Sequence, residues 1–414
     1  MKFSTALRQT TRRKLERLES ADIVVGIPCF NNDETLAHVI NTVEKGLHLY
    51  YPDRRCAVLV ADGGSVDDSR EAGEEIEGSP WIERHIFIYR GVPGKGSAVR
   101  AIFEAANLVN AKACLLFDSD LRSITPEWIK CMADAILDDG ADYITPYYTR
   151  YKYDGTITNN IVYNLTRALY GYQVRQPIGG DFAFSLPLIQ RYIPSNDWET
   201  DVARFGIDIW LTTKAMVYKS KIAQANLGVK IHDVKDPAEA LGPMFRQVVS
   251  TLLAMMEENE EVWKKVKGSQ KVPIVGPSLN IEPQSFEINV KKLIDDFKIG
   301  YENWKEIWQK IINPRSWETI TDLVSKEGTE FHFKTECWAR ILYDLAAAFH
   351  HWKGNRQLLV SLMTPLYFAR VASFVNHTRD MTNEEAEAVV EEQAVMFEQN
   401  KPYLIERWDA KTEY

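Results

Sequence analysis

The first half of the chain alternates short apolar runs with amphipathic stretches. "DIVVGIP" (22–28), "CAVLVAD" (56–62), "HIFIYR" (85–90), "AKACLLFD" (111–118) and "DYITPYY" (142–148) have the length and composition of strands. Between the first two, Leu36, Val39, Ile40 and Val43 recur at helical spacing within Asp33 to Leu47. "GVPGKGSA" (91–98) leads into a helix reaching about Val109, and Ser65 stands where it can cap a helix after "DGGS". Strands separated by helical segments predict an α/β fold: a Rossmann-like, mostly parallel sheet with helices on both faces. Such sheets take ligands at the carboxyl ends of their strands. Pro28, Asp62, Arg90 and Asp118 all fall at predicted strand ends.

After about residue 240 the period becomes helical throughout. "MFRQVVSTLLAMMEE", "INVKKLIDDFKIGYENWKEIWQKII", "CWARILYDLAAAFHHW" and "NEEAEAVVEEQAVMFEQ" all read as helices, with a Pro/Gly-rich connector at 267–283. The pattern predicts a basic lead-in over 1–20, a catalytic domain over 21–240 and a helical domain over 241–414. The tryptophans of the helical part are expected in its core and interfaces. The longest apolar stretch, Leu358 to Val375, contains Pro365 and Arg370 and reads as a buried helix pair or a kinked helix, not a membrane span.

Composition adds limits. A chain of 414 residues exceeds one ordinary core. Its formal net charge of −9 argues against a general nucleic-acid binder, which needs a basic surface. Five cysteines without a CxxC pair speak against a disulfide framework or structural zinc and for a reducing cytoplasm. Six basic residues fall within the first twenty, but no apolar core of a signal peptide follows them. They read as a solvated lead-in helix, with a membrane-surface role as the alternative.

Candidate chemistry begins at "LLFDSDLRS" (115–123), where an apolar strand runs into Asp118-Ser119-Asp120. Like charges this close need a positive partner. On a strand end the two carboxylates would point the same way, toward one hard cation such as Mg²⁺ or Mn²⁺. In isolation such a pair is otherwise a turn or a helix cap. Around it, Lys95 lies between two glycines in "PGKGSA", suited to a phosphate or sugar. "ADGGSVDDS" (61–69) closes a strand with a carboxylate and a flexible turn. "RQPIGGDFAFS" (175–185) pairs two glycines before an acid, which permits close backbone approach to a ligand. Asp208 lies inside an apolar segment and needs a partner. His232, at a probable strand end, is either a structural histidine or a further metal ligand.

In order, "IPCFNND", "ADGGSVDDS", "PGKGSA", "FDSD", "QPIGGDF", "FGIDIWLT" and "GVKIHD" resemble the nucleotide-sugar glycosyltransferases of the GT-A fold. More closely, they resemble the retaining enzymes that make mannosylglycerate, glucosylglycerate and glucosyl-3-phosphoglycerate. The likeness spans about residues 21–236. It implies that Pro28, Asn32, Asp62 and Ser65 lie around the donor's base and ribose, and that Lys95 touches the donor. Asp118 and Ser119 would reach the ribose or sugar. Asp120 and His232 would hold Mg²⁺ or Mn²⁺ on the diphosphate. Ile178, Gly179 and Gly180 would underlie the anomeric carbon, and Asp181 would bind sugar hydroxyls. Arg150, Thr158 and Asp208 match the acceptor pattern. Three departures stand out. Asn32 replaces a usual Glu, Asp181 replaces a common Glu, and "DGTIT" (154–158) lacks the Gly-Gly-Arg of a phosphoglycerate clamp.

The resemblance implies transfer of glucose or mannose to D-glycerate, with 3-phosphoglycerate as the alternative acceptor. A sugar nucleotidyltransferase and a non-catalytic nucleotide-sugar module are the competing classes. A homodimer or higher homo-oligomer remains open.

Overall fold

The computed structural model describes residues 4–231, 237–278 and 281–410. The strands are β1 (Ile23–Cys29), β2 (Cys56–Asp62), β3 (Ile82–Ile88), β4 (Ala113–Leu116), β5 (Tyr143–Thr149), β6 (Tyr172–Gln173), β7 (Phe182–Ser185), β8 (Ile222–Val229), β9 (Gln270–Lys271) and β10 (Ile274–Val275). The chain divides into two compact units. The first comprises Met1–Thr149, Val174–Val234 and Val272–Glu282; the second comprises Arg150–Gln173, Lys235–Lys271 and Pro283–Tyr414. The second unit thus takes a segment from the middle of the α/β half, where the hydrophobic pattern shows no break.

The first unit is built on one sheet of order β10-β8-β5-β7-β4-β1-β2-β3. Its pairings are parallel except at β7, which runs antiparallel to both β4 and β5. Every residue of β1, β2 and β4 is buried. Strands covered by helices on both faces must be apolar throughout, which is why they read as unbroken runs. Strand β3 is one of the sheet's two edges, opposite β10, and is only partly buried. The helices Asp33–Tyr50 and Pro126–Leu137 press Leu36, Val39, Ile40, Val43, Ile129 and Met132 onto Val25, Ile27, Val58 and Leu115.

The lead-in segment is more than a solvated helix. Ala6 and Leu7 are buried, the Thr5 hydroxyl and Ala6 N–H donate to the Glu104 carboxylate, and Arg90 N–H donates to the Ala6 carbonyl at 2.8 Å. Helix formation is confined to Gln9–Leu15 and a 3₁₀ turn at Glu16–Leu18.

The second unit is helical, apart from the short β6–β9 pair. Arg167 joins the helix Tyr163–Tyr170 to Asn383–Asp409 through Glu391 (2.6 Å) and Glu398 (2.7 Å). Trp263, Trp308, Trp338 and Trp408 are fully buried, as a core role requires. Leu358 to Val375 lies in one helix, Arg356–Thr378, with Pro365 inside it, and not in a pair of helices. It is long and apolar enough to cross a membrane, and 72% of its most apolar window is buried in the protein. Ring burial against Gly300 compensates Pro365: a Cβ on that glycine would lie 2.3 Å from the proline ring. All five cysteines are free thiols.

Candidate functional site

Four chain segments meet at the carboxyl end of the first unit's sheet. The first is the pair of loops after β1 and β2. Asp62 is fully buried, and it accepts from Gly64 N–H (3.0 Å), Ser65 N–H (3.1 Å) and the Ser65 hydroxyl (2.5 Å). Its carboxylate therefore builds the turn before it can meet any ligand. Ser65 caps no helix: the next helix begins at Ser69, and the Ser65 hydroxyl instead accepts from Asn31 N–H at 2.9 Å. Pro28 is likewise buried within β1. The large apolar side chains exposed at this corner are Phe30 and Val66.

Asn32 ties this corner to the acidic loop. Its N–H donates to Ser69 Oγ at 2.7 Å, and its Oδ1 accepts from Ser119 Oγ at 2.6 Å. The Ser119 carbonyl accepts from Thr35 Oγ1 at 2.8 Å. β4 ends at Leu116, so Asp118-Ser119-Asp120 lies in a turn beyond the strand. Strand alternation therefore does not aim these carboxylates; the Asn32, Thr35 and Asp181 contacts hold the loop.

The second segment is the Lys95 loop. Tyr89 follows β3, and its hydroxyl accepts from Gly94 N–H at 3.0 Å and donates to the Gly94 carbonyl at 3.1 Å. That clamp sets the start of the helix Lys95–Leu108. Lys95 Nζ reaches Asp118 Oδ1 at 2.7 Å, Asp208 Oδ1 at 3.2 Å and the Gly180 carbonyl at 3.3 Å.

The third is the double-glycine turn into β7. Gly180 has φ +93°, and a Cβ there would stand 2.2 Å from Asp118 Oδ2. At Gly179 a Cβ would stand 2.2 Å from the Pro146 ring. Neither position admits a side chain without displacing the site. Asp181 is fully buried; it accepts from Asp118 N–H at 2.9 Å and from the Tyr148 hydroxyl. Ile178 precedes the turn and is half-buried.

The fourth is Lys230, directly after β8. Its Nζ lies 3.0 Å from Asp118 Oδ2, 2.9 Å from Asp181 Oδ2 and 3.0 Å from the Gly179 carbonyl. The positive partner that Asp118 requires is thus a pair of lysines. Lys230 stands in the quoted "GVKIHD", but a lysine at a strand end carries no signal without its neighbours. Tyr148 was equally invisible.

These charges set the site's protonation. Burial would raise the Asp118 carboxyl, but Lys95 and Lys230 outweigh it and hold Asp118 well below the ordinary carboxylate range. Burial would lower Lys95, and Asp118 and Asp208 instead raise it. Asp208, on the first turn of the helix Ile207–Val217, is raised chiefly by burial, which Lys95 only partly offsets.

Arg150 and Thr158 belong to the second unit. Arg150 pairs with Asp154 at 3.2 Å. The two flank Gly155, whose Cβ would lie 3.4 Å from Arg150 Nη1 and 3.8 Å from Thr158 Oγ1. Thr158 opens a π-helix, Thr158–Val162. His232 lies outside the described residues.

No three His, Cys, Asp or Glu side chains cluster to cage a metal among the described residues. Mg²⁺ and Mn²⁺ at a nucleotide site need no such cage, because phosphate oxygens and water supply most of the coordination. Both Asp118 oxygens are held by lysines, and Asp120, the loop's second carboxylate, is half-buried beside them in sequence. The donor set fits a divalent cation held mainly by its nucleotide.

Residues 24–193 match the model of glycosyl transferase family 2. This stretch is similar to glycosyltransferase family 2 domains. Its mostly parallel sheet with flanking helices is GT-A-like, and the chain adds a helical C-terminal region to it. Among solved structures, the chain is similar to glucosyl-3-phosphoglycerate synthase from Mycobacterium tuberculosis with Mg²⁺ and UDP, at 25% identity and TM-score 0.46, over 60% of this chain and 85% of that one. It is also similar to the same enzyme with Mn²⁺, UDP-glucose and phosphoglyceric acid, at 24% identity and TM-score 0.45, over 61% and 86%. No curated protein sequence matches the chain significantly.

Proposed function

We propose that the protein moves glucose or mannose from a nucleotide diphosphate sugar to D-glycerate, with retention, giving an α-glycosylglycerate. The observation that carries this reading is the lattice in which Lys95 and Lys230 bridge Asp118, Asp181 and Asp208 above the Gly179-Gly180 turn. Two fixed ammonium groups in a buried acidic setting suit an anionic diphosphate at the strand ends. Two glycines beneath them leave room for a sugar ring. Asp120 and His232 would hold Mg²⁺ or Mn²⁺, which when bound neutralises charge on the departing diphosphate.

The chain's own residues do the rest. Lys95 and Lys230, held in place by their carboxylates, present fixed ammonium charge to the diphosphate as the leaving group gains charge. Such preorganised charges act without reorganisation cost at the reacting centre. Asp181, locked by Tyr148 and Lys230, orients sugar hydroxyls. The Gly179 and Gly180 carbonyls, held by the same two lysines, face the anomeric carbon. Among the described residues no carboxylate stands out as a covalent nucleophile, which supports same-face attack with the leaving diphosphate taking the acceptor proton. Arg150 is assigned the glycerate carboxylate, with Thr158 in support. The absence of Gly-Gly-Arg at 154–158 supports glycerate over its phosphate ester.

The test is incubation with UDP- and GDP-glucose or -mannose, Mg²⁺ or Mn²⁺, and D-glycerate or 3-phosphoglycerate. Mass and anomeric NMR identify the product. An α-hexosylglycerate with release of nucleoside diphosphate is expected. A β-linked product would overturn retention, and turnover with 3-phosphoglycerate alone would overturn the acceptor.

A further inference from the structure

Away from the strand ends, a cleft of about 550 Å³ runs along the free edge of β3. The lead-in segment forms its other wall. Ala6 pairs with Arg90 past the end of β3, and the chain then turns away as the helix Gln9–Leu15. The edge at His85 to Ile88 is left lining an open space of metabolite size.

The polar groups facing this space are mismatched to an empty cleft. Arg8 and Lys14 line it, and neither side chain makes an ion pair or hydrogen bond among the described residues. Arg84 is already spent on Glu44 (2.7 Å) and on the Gly73 and Ile76 carbonyls. Glu74 is the carboxylate in the lining. Thr10 and Thr11 add hydroxyls. His85 Nε2 is buried and has no hydrogen-bond partner among the described residues; the nearest recorded carboxylate oxygen, Glu83 Oε2, lies 3.9 Å away. An unpaired buried ring nitrogen is unfavourable unless a ligand or water meets it. Two unneutralised cations beside it, in a chain of net charge −9, define the complement.

We infer that this cleft is a second ligand site, which takes a small phosphorylated molecule through Arg8, Lys14 and His85. A phosphate group presents several acceptor oxygens to the guanidinium, ammonium and hydroxyl groups, and one more oxygen for a His85 ring N–H. The site is separate from the diphosphate-binding lattice, and the wall strand β3 leads through Tyr89 to the clamped Gly94-Lys95 loop.

The probe is inorganic pyrophosphate, titrated into the full chain without sugar donor. Binding is read by calorimetry and by ¹³C-histidine NMR, with the His85 signal assigned by its loss in His85→Phe. A saturable shift of that signal is expected. Arg8→Ala combined with Lys14→Ala is expected to weaken it by about tenfold or more, as loss of two charge-assisted contacts requires. Both residues are exposed, so the double variant should fold. An unmoved His85 signal, a shift reproduced by chloride at equal ionic strength, or equal affinity in the double variant would each overturn the site. Heat without a His85 shift reports the strand-end lattice alone and also overturns it. Binding to phosphatidylglycerol vesicles with no response to pyrophosphate would replace the small ligand by a membrane surface.

Discussion

Lys230 Nζ sits 3.0 Å from Asp118 Oδ2, although the two residues are 112 positions apart. The acidic loop after β4 is therefore balanced by a side chain from the far side of the antiparallel strand β7. Asp181 and the Gly179 carbonyl share the same ammonium.

Lys230→Met keeps the side chain's bulk and removes its charge. Breaking one side of a buried ion pair costs about 3–5 kcal/mol, because the remaining charge is left without its partner. Lys95 still serves Asp118, so the lower end of that range is expected in urea unfolding. Transfer should fall by roughly 10²–10³-fold if the ammonium meets charge that develops during the reaction. A variant with normal kcat and only weaker folding would make Lys230 purely structural.

Gly180→Ala combines strain with collision. The φ of +93° disfavours any side chain, and the new Cβ would fall 2.2 Å from Asp118 Oδ2. Gly64 is the control, with φ +87° and nothing within 4 Å of its Cβ. Gly64→Ala should cost about 1–3 kcal/mol from backbone strain alone. Gly180→Ala should cost more and also lose transfer. Equal thermal shifts in the two variants, with equal activity, would rule out close packing against Asp118.

The two acids on Lys95 pull stability in opposite directions with pH. Asp118 is depressed on folding, so its contribution is present above the ordinary aspartate value of about 3.9 and is lost as pH falls through the lower folded value. Asp208 is raised on folding. The folded protein then holds a proton that the unfolded chain has released, so stability declines as pH rises from about 3.9 to the raised value and is level above it. Asp208→Asn should erase that decline. Urea midpoints of both proteins between about pH 4 and pH 8 test it, and identical slopes in the two would contradict the placement of Asp208.

Asp120→Ala should abolish transfer while far-UV circular dichroism and the melting temperature stay near wild type. Electron paramagnetic resonance of Mn²⁺ with nucleoside diphosphate gives the independent readout: the protein-bound signal should weaken by about tenfold or more, the loss expected from removing a metal ligand. His232→Ala should act in the same direction. Full turnover of Asp120→Ala in the presence of a chelator would end the metal assignment.

Much of this was legible in order along the chain. The runs at 22–28, 56–62 and 142–148 became β1, β2 and β5 almost residue for residue, because strands buried on both faces must be apolar throughout. The helical period of the last third produced helices there for the same kind of reason. Motifs such as "PGKGSA" and "QPIGGDF" marked Lys95, Gly180 and Asp181, since a glycine beside a charged residue at a strand end is a local pattern. Long-range partnerships left no such mark. β7 reads as an ordinary apolar segment, and nothing local states that it runs antiparallel between β4 and β5. Ser65 looked like a cap until Asp62 and Asn31 claimed its hydroxyl. Lys230 became the counter-charge of Asp118 only when the sheet brought β8 within reach of β4. Periodicity is a property of neighbours in sequence; charge pairing is a property of neighbours in space, and the chain's crossings between strands decide who those are.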